Sequence, residues 1–130
     1  MELKIEAIDH VVLTVKNIET TCAFYTRVLG MKEVTFSGGR KALSFGAQKF
    51  NLHEVGKEFD PKAEHPTRGS GDFCFLTSTP IVDVIKHLKT CGVSILDGPV
   101  RRTGAVGPLL SVYFRDPDMN LLEVSNSMAN

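Results

Sequence analysis

One carboxylate in an apolar stretch is the residue of this sequence that most needs an explanation. Glu123 stands between Leu122 and Val124, where apolar alternation predicts a β-strand. An isolated buried carboxylate costs several kcal/mol, so this side chain should be exposed, paired or bound to a metal ion. We therefore favour a functional role for Glu123, facing a groove.

Two histidines lie in other predicted strands. His10 alternates with Val12 along the first strand, and His53 lies two residues beyond Asn51, hence on the same face of its strand. Imidazole and carboxylate groups suit Zn, Ni, Mn or Fe(II), and two or three protein ligands suffice if water fills the remaining positions. The alternatives are structural: His10 as a hydrogen-bonded interior histidine, and His53 as a polar residue at a strand end.

Basic and phenolic side chains in the last third of the chain are candidates for holding a substrate. Arg101 and Arg102 are suited to an anionic group, because arginine forms bidentate hydrogen bonds to carboxylate or phosphate. A solvated hairpin tip is the simpler interpretation of this pair. Tyr113 and Arg115 share a strand face with Ser111, but periodicity does not indicate which face is the inner one.

The three cysteines show no pattern typical of a disulfide framework or a zinc ribbon. Cys22, Cys74 and Cys91 are odd in number and none has a partner at short spacing. We interpret them as reduced thiols of a cytosolic protein, with Cys22 and Cys91 on the apolar faces of predicted helices. A catalytic thiol at Cys74 is the disfavoured alternative.

The balance of charge narrows the range of partners. The 130 residues include 15 basic and 15 acidic side chains, so the chain lacks the positive field that nucleic acid or an anionic membrane favours. No apolar run approaches the ~20 residues needed to span a bilayer. Met1 to Glu6 lack the apolar core of a signal peptide. We expect a cytoplasmic protein whose ligand or substrate is a small molecule.

The chain reads as one secondary-structure pattern used twice. The first copy has a strand at His10–Val15, a helix capped by Asn17 and closed by Gly30, and three further strands. Those strands are predicted at Met31–Phe36, Lys41–Phe45 and Lys49–Val55. A connection over residues 57–70 has no hydrophobic period and contains Asp-Pro, His-Pro and Gly-Ser-Gly.

The second copy repeats the order. Asp72–Thr77 is predicted as a strand, and Thr79 and Pro80 as the N-cap and first residue of a helix that ends at Gly92, with His87 off its apolar face. Strands are predicted at Val93–Leu96, Leu110–Phe114 and Leu121–Val124, with a loop from Gly98 to Pro108 and an Asp116-Pro117-Asp118 turn. We expect a single α+β domain over residues 5–126, with modules 5–56 and 71–126. Two such βαβββ modules would form a half-pipe sheet with a concave, ligand-binding face.

Two local motifs are more specific than the repeat. The first runs from Ile8 to Val15, followed by Phe24-Tyr25 and Leu29-Gly30-Met31; the second runs from Phe114 to Glu123. Together with the paired modules they resemble the vicinal oxygen chelate superfamily, which includes glyoxalase I, bleomycin-resistance proteins, fosfomycin-resistance enzymes and extradiol dioxygenases. The segment from Lys49 to Gly56 is similar to glyoxalase-domain proteins without an assigned activity.

The resemblance implies a divalent metal (Zn, Ni, Mn or Fe) held by the first and last strands of each module. Carried over residue by residue, it implies His10 and Glu123 as ligands. Asn51 stands where glyoxalase I has an acid, and Asp72 or Phe73 stands where it has a histidine. We favour Asp72, because Phe73 and its neighbour two residues on then face the helix together. With His53, the candidate ligand set becomes His10, His53, Asp72 and Glu123.

The function implied by the resemblance is metal-dependent chemistry of glyoxalase, lyase or isomerase type on a small oxygen-rich molecule. Glu123 would alternate between metal ligand and proton carrier. The resemblance also implies a homodimer, because in this superfamily the site often combines the first module of one chain with the second of another. The alternative is a metal-free protein that sequesters a small molecule, as bleomycin-resistance proteins do, and the altered ligand positions favour it.

Overall fold

A computed structural model describes residues 1–128 of the chain, and they divide into two compact units. Unit 1 comprises Met1–Thr67, and unit 2 begins at Arg68. The division falls inside the predicted connection over residues 57–70. Neither helix in this part of the chain is long and apolar enough to cross a membrane.

Unit 1 is a four-stranded mixed sheet with one helix. Its elements are β1 (His10–Val15), α1 (Ile18–Leu29), β2 (Lys32–Phe36), β3 (Arg40–Phe45) and β4 (Gln48–Glu54), with a short 3₁₀ turn at Ser37–Gly39. The strand order is β1-β4-β3-β2, in which β1 runs parallel to β4 and the other pairs are antiparallel. The predicted α+β class and strand–helix–strand–strand–strand order of this module are confirmed.

Both ends of α1 form as predicted. The side chain of Asn17 accepts a hydrogen bond from Thr20 N at 2.9 Å, which satisfies one of the free N–H groups of the first turn. Gly30 ends the helix in the left-handed region at φ +66°, and Met31 N donates to Tyr25 O at 3.1 Å. The buried face of the helix packs Tyr25 edge-on against Phe50 of β4, with a ring separation of 6.0 Å.

Unit 2 has the same architecture. Its elements are β5 (Asp72–Leu76), α2 (Ile81–Thr90), β6 (Asp97–Thr103), β7 (Pro108–Arg115) and β8 (Leu121–Ser127). The order is β5-β8-β7-β6, with β5 parallel to β8 and the other pairs antiparallel. Val112, Phe114, Leu122 and Val124 alternate along β7 and β8 and form the core of the sheet on the buried face.

The second strand of unit 2 lies elsewhere than predicted. Val93–Leu96 is not a strand, and β6 instead occupies Asp97–Thr103, inside the segment predicted as a loop. The segment has the local composition of a loop, but pairing with β7 prevails: Val100 lies opposite Ser111 and Arg101 opposite Leu110. The arginine pair therefore belongs to a strand, and its interpretation as a hairpin tip is wrong.

The N-terminus of α2 also differs from the prediction. Thr79 does not cap it, and Pro80 rather than Thr79 occupies the N-cap position. Asn126 of β8 takes over the capping: its Oδ1 accepts from Ile81 N at 2.8 Å, and its Nδ2 donates to Thr77 O and Thr79 O at 2.9 and 2.8 Å. Cys91 follows α2 at its C-cap instead of lying on its apolar face.

The predicted Asp-Pro-Asp turn is confirmed, and its purpose is structural. Asp116 Oδ1 accepts from Asp118 N and Asn120 N at 2.9 and 3.0 Å, and its Oδ2 accepts from Asn120 Nδ2 at 2.8 Å. Asn120 Oδ1 in turn accepts from Gly71 N at 2.7 Å, which joins the turn to the residue before β5. The turn thereby fixes where β8 begins and which of its residues face each way.

Candidate functional site

We call the face of each sheet that lies opposite its helix the open face. The register of the unit 2 sheet places Glu123 at the centre of the open face of that sheet. Leu122 and Val124 point to the buried side, so Glu123 points to the opposite side and is half-buried. Across the sheet, Cys74 of β5 and Tyr113 of β7 are its direct neighbours. The apolar alternation of the sequence therefore directs Glu123 to the open face.

Polar side chains on this face form a connected series. Arg102 Nε donates to the Tyr113 hydroxyl at 2.9 Å, and that hydroxyl interacts with the Glu123 carboxylate. Ser125 Oγ contacts Glu123 Oε2 at 3.4 Å and Ser111 Oγ at 2.6 Å. Burial raises the pKa of Tyr113 and its bond to Glu123 adds to that rise, whereas the Arg102 bond opposes it. The phenol therefore stays protonated and can donate a hydrogen bond to the carboxylate.

A cavity of about 410 Å³ opens over this series, and we call it the unit 2 cavity. Glu123, Tyr113 and Arg102 contribute its polar wall, whereas Leu76 and Leu109 are among its apolar residues. An apolar pocket with a few convergent polar groups is typical of sites for small molecules. Three of the residues predicted from the sequence thus meet in one place.

Other predicted substrate residues lie outside this cavity. Arg101 pairs with Leu110, so it faces the side of the sheet opposite to Arg102, which pairs with Leu109. Arg115 is exposed at the end of β7 and donates to Met119 O at 3.3 Å. Neither residue is among those lining the unit 2 cavity.

Cys74 lines the same cavity, and its environment raises the pKa of its thiol. Burial is the main cause of its raised pKa, and the Glu123 carboxylate adds to the rise, while the 3.3 Å contact with Ser125 opposes it. Because the thiolate is the reactive form of cysteine, a raised pKa suppresses its reactivity. The low expectation for a catalytic thiol at Cys74 thus has a physical basis.

Asp72 and Phe73 fall on opposite faces of β5. Phe73 lies opposite Leu122, which is fully buried, and Asp72 lies opposite Leu121 on the same side as Glu123. Phe73 and Phe75 are half-buried, with ring centroids 6.2 Å apart, whereas Asp72 is exposed. The carboxylate is therefore the residue of β5 that the open face presents.

In unit 1, the first predicted ligand is held by its neighbour in sequence. His10 Nδ1 lies 2.8 Å from Asp9 Oδ2, and the histidine side chain is 44% exposed. When a carboxylate accepts a hydrogen bond from one imidazole nitrogen, the other nitrogen keeps its lone pair for a metal ion. Asp9 therefore orients the His10 ring through Nδ1 and leaves Nε2 as the nitrogen that could bind a metal ion.

His53 has a different environment. It is only 2% exposed, and its Nε2 lies 3.3 Å from the guanidinium Nη2 of Arg40. Burial, and after it the charge of Arg40, lowers the pKa of His53. The ring of Phe59 packs edge-on to it at 5.4 Å. Asn51, on the same face, is 7% exposed and its Oδ1 has no hydrogen-bond partner among residues 1–128.

The donor atoms can be tested for their fit to the divalent metal that the resemblance implies. The His10 imidazole, the Glu123 carboxylate and the exposed Asp72 carboxylate fit such an ion chemically. His53 does not, because a guanidinium occupies its Nε2 and its positive charge opposes a second cation. Within residues 1–128, no three His, Cys, Asp or Glu side chains form a group able to hold one ion.

Sequence reasoning missed Arg40, which is central to the unit 1 face. The residue follows two glycines, and it lies just before the strand that the sequence predicts from Lys41. In the structure β3 begins at Arg40, which aligns its side chain with that of His53 on the neighbouring strand. The signal in the sequence was the alternation of Arg40 with Ala42, which places both on one face of a strand. In the structure Ala42 lies opposite Asn51, so this face is the one that carries Asn51 and His53.

Comparisons with known proteins identify relatives of this chain. Residues 7–124 match the model of the Glyoxalase/Bleomycin resistance protein/Dioxygenase superfamily. The chain is 57% identical over 125 residues to Virulence protein STM3117 of Salmonella typhimurium, covering 96% of this chain and 87% of that protein. It is 54% identical over 125 residues to Glyoxalase domain-containing protein RDO1 of Mycosarcoma maydis, covering 96% of this chain and 70% of that protein.

A solved structure is equally similar. An integron cassette protein from the mobile metagenome of V. cholerae has a TM-score of 0.95 and 56% identity, covering 97% of this chain and 98% of that one. The match extends through both βαβββ units and includes the strands that carry His10 and Glu123. The chain therefore belongs to the glyoxalase, bleomycin resistance protein and dioxygenase superfamily.

Proposed function

We propose that this protein carries out metal-dependent chemistry of lyase or isomerase type on a small oxygen-rich molecule, with Glu123 as the proton carrier. The observation that supports the proposal is the position of Glu123 in the unit 2 cavity. Its carboxylate is half-buried, beside a phenol and near a guanidinium, with apolar side chains around it. A carboxylate in such a place can exchange a proton with a bound molecule.

The neighbours of Glu123 would each contribute to substrate binding in a different way. Tyr113 is protonated and can donate a hydrogen bond to Glu123. This hydrogen bond holds one carboxylate oxygen of Glu123 toward Tyr113 on the neighbouring strand. Arg102 carries a charge that suits an oxyanion of the substrate, and its bond to Tyr113 fixes its position. The apolar wall limits access of water to the proton that is transferred.

A divalent ion, when bound, would polarise a substrate oxygen as a Lewis acid. His10, Asp72 and Glu123 are the residues we propose to hold it. The support is chemical: Asp9 orients the His10 imidazole, and Asp72 shares the open face with Glu123. We further propose a homodimer in which the first module of one copy and the second module of its partner share each site.

Hydrogen exchange at a substrate carbon tests the role of Glu123 without knowledge of the final product. The protein, loaded with each metal in turn, is incubated in D₂O with a panel of small 2-hydroxy and 2-oxo carbonyl compounds, and C–H signals are followed by proton NMR. We expect catalysed exchange in at least one compound and a loss of at least about 100-fold in Glu123→Gln. Arg115→Gln, at the exposed end of β7, is the matched control.

A metal-free binding protein is the second candidate, and a specific observation favours it. On the unit 1 face, Asn51 and His53 accompany Arg40 where an acid would be expected in glyoxalase I. That arrangement suits ligand binding by hydrogen bonds better than metal binding. If thermal stabilisation by a small ligand is the same before and after treatment with EDTA, and no compound shows exchange, this candidate replaces the first.

A further inference from the structure

Three buried polar atoms on the open face of unit 1 have no hydrogen-bond partner among the described residues. They are Arg40 Nε, Asn51 Oδ1 and His53 Nδ1. The antiparallel register explains why they are together: Asn51 lies opposite Ala42 on β3, Arg40 is two residues before Ala42, and His53 is two residues after Asn51. Buried polar groups are almost always paired with protein, water or a ligand, so this set, which we call the Arg40 cluster, needs a bound partner with complementary donors and acceptors.

The protonation state of the Arg40 cluster follows from its contacts. A guanidinium has only donors, so His53 Nε2 must accept at the 3.3 Å contact with Arg40. The ring is then neutral, in agreement with the lowered pKa that burial and Arg40 produce, and its proton lies on Nδ1. The cluster thus presents two unpaired N–H donors, from Arg40 and His53, and one unpaired acceptor, Asn51 Oδ1.

Aromatic rings hold the guanidinium in place. The Arg40 Cζ atom lies 4.3 Å from the centroid of the Phe59 ring and 5.2 Å from that of Phe36. A guanidinium stacked in this way is preorganised, so little of its freedom is lost when it binds a planar anion. Arginine is therefore used here as a fixed donor rather than as a mobile surface charge.

A small cavity adjoins the His53 side of the Arg40 cluster, and Arg40 and Asn51 are not among its lining residues. It has a volume of about 290 Å³ and is lined by His53, Val12 and Thr14 from the sheet and by Lys62 from the connecting segment. Lys62 adds positive charge near His53, and its ammonium lies 3.8 Å from Asp60 Oδ1. Glu58 also acts electrostatically on His53, but its carboxylate accepts a hydrogen bond from Gly56 N at 2.8 Å.

We propose that the Arg40 cluster binds a small 2-hydroxycarboxylate. The carboxylate would accept from Arg40 Nε–H and His53 Nδ1–H, and the neighbouring hydroxyl would donate to Asn51 Oδ1. Both donors and the acceptor are then satisfied by one ligand, which neither a simple cation nor an anion without a donor achieves. The site uses unit 1 residues alone and needs no metal, so it stands or fails independently of the proposed role of Glu123.

The experiment is an NMR titration of the metal-free, ¹⁵N-labelled full chain with lactate, propionate, lactamide and inorganic phosphate. We expect lactate to bind and to shift the His53 ring nitrogens and the Asn51 side-chain amide. Propionate lacks the hydroxyl and should bind at least about 10-fold more weakly, because Asn51 Oδ1 stays unpaired. Lactamide lacks the charge and should give no saturable shift.

Variants locate the site. Asn51→Asp keeps the shape of the side chain but adds a negative charge beside the carboxylate, so lactate affinity should fall at least about 10-fold. Arg40→Met should abolish binding, and Lys41→Gln is the control that removes a positive charge from the adjacent, opposite-facing position. If Arg40→Met does not fold, as judged by spectral dispersion, Asn51→Asp decides. Unchanged affinity in Asn51→Asp, equal binding of propionate, or tighter binding of phosphate than of lactate would overturn the proposal.

Discussion

At the residue scale, the open faces of the two units differ in the groups that surround their ionisable side chains, Glu123 in unit 2 and His53 in unit 1. Glu123 lies beside a phenol, a thiol and a serine hydroxyl, and the nearby guanidinium of Arg102 bonds to the phenol, whereas a guanidinium contacts the His53 ring itself and a lysine lies near it. The first environment keeps a carboxylate available for metal binding or proton transfer, and the second excludes a cation. Histidine and glutamate were both predicted as metal ligands, and only their neighbours distinguish the roles we now propose for them.

The reactivity of the Cys74 thiol depends on the charge of Glu123. Because that carboxylate contributes to the raised pKa of the thiol, Glu123→Gln should increase the thiolate fraction and speed alkylation of Cys74 by iodoacetamide severalfold at about pH 8. Peptide mass spectrometry would measure the rate at Cys74 separately from Cys22, whose pKa burial raises to about 11. Equal rates in the wild type and the variant would contradict this electrostatic coupling.

His53 makes folding stability depend on pH. Its pKa is lower in the folded protein than the ordinary value of 6.5, mainly through burial. The unfolded chain therefore binds a proton in a range where the folded protein does not, and stability falls as the pH drops. The contribution is complete above about pH 6.5 and is lost as the pH falls through the lower, folded pKa.

We expect the wild type to lose more stability than His53→Gln between about pH 7.5 and pH 5, because only the wild type has this group to protonate. Urea denaturation at a series of pH values measures the difference. Exposed His87, changed to Gln, is the control and should follow the wild type. Parallel curves for the wild type and His53→Gln would show that the burial of His53 carries no such cost.

At the element scale, local signals predicted most of the fold and tertiary pairing decided the rest. Asn17 and Gly30 mark α1 with side-chain and backbone chemistry that acts within one turn, so they could be found from the sequence. The strand β6 could not be found from the sequence, because Gly98 and Pro99 are typical of a loop. Only pairing with β7 makes that segment a strand. Glycine is needed at position 98, because a Cβ atom there would lie only 2.5 Å from Ser111 O.

The cap of α2 shows the same limit. Its partner, Asn126, is 45 residues away in sequence, and no local pattern could identify it. Asn126→Ala removes three hydrogen bonds at the start of α2 and should lower the free energy of unfolding by about 1–3 kcal/mol. Thr79→Ala should change it by less than about 0.5 kcal/mol, since Thr79 does not cap the helix. Urea denaturation compares the two, and the reverse ranking would contradict the structure.

At the scale of the whole molecule, one feature of the candidate metal site bears on assembly. His10 belongs to unit 1 and Glu123 to unit 2, and we propose that a homodimer brings a copy of each together. Isologous pairing is the commonest symmetry of soluble oligomers. Light scattering at tens of micromolar protein should give about twice the chain mass of 14.3 kDa. A mass equal to that of one chain would leave the shared site without support.

The metal content of the purified protein tests the central claim most directly. Wild type and variants are dialysed against Zn, Ni, Mn and Fe(II) in turn, and bound metal is measured by mass spectrometry. We predict one ion per chain in the wild type, sharp losses in His10→Ala and Glu123→Gln, and little further loss in the double variant, because both remove ligands of one site. His87→Ala should keep full occupancy. A wild type that binds none of the four metals, or a Glu123→Gln variant that binds as well as the wild type, would contradict the proposed function.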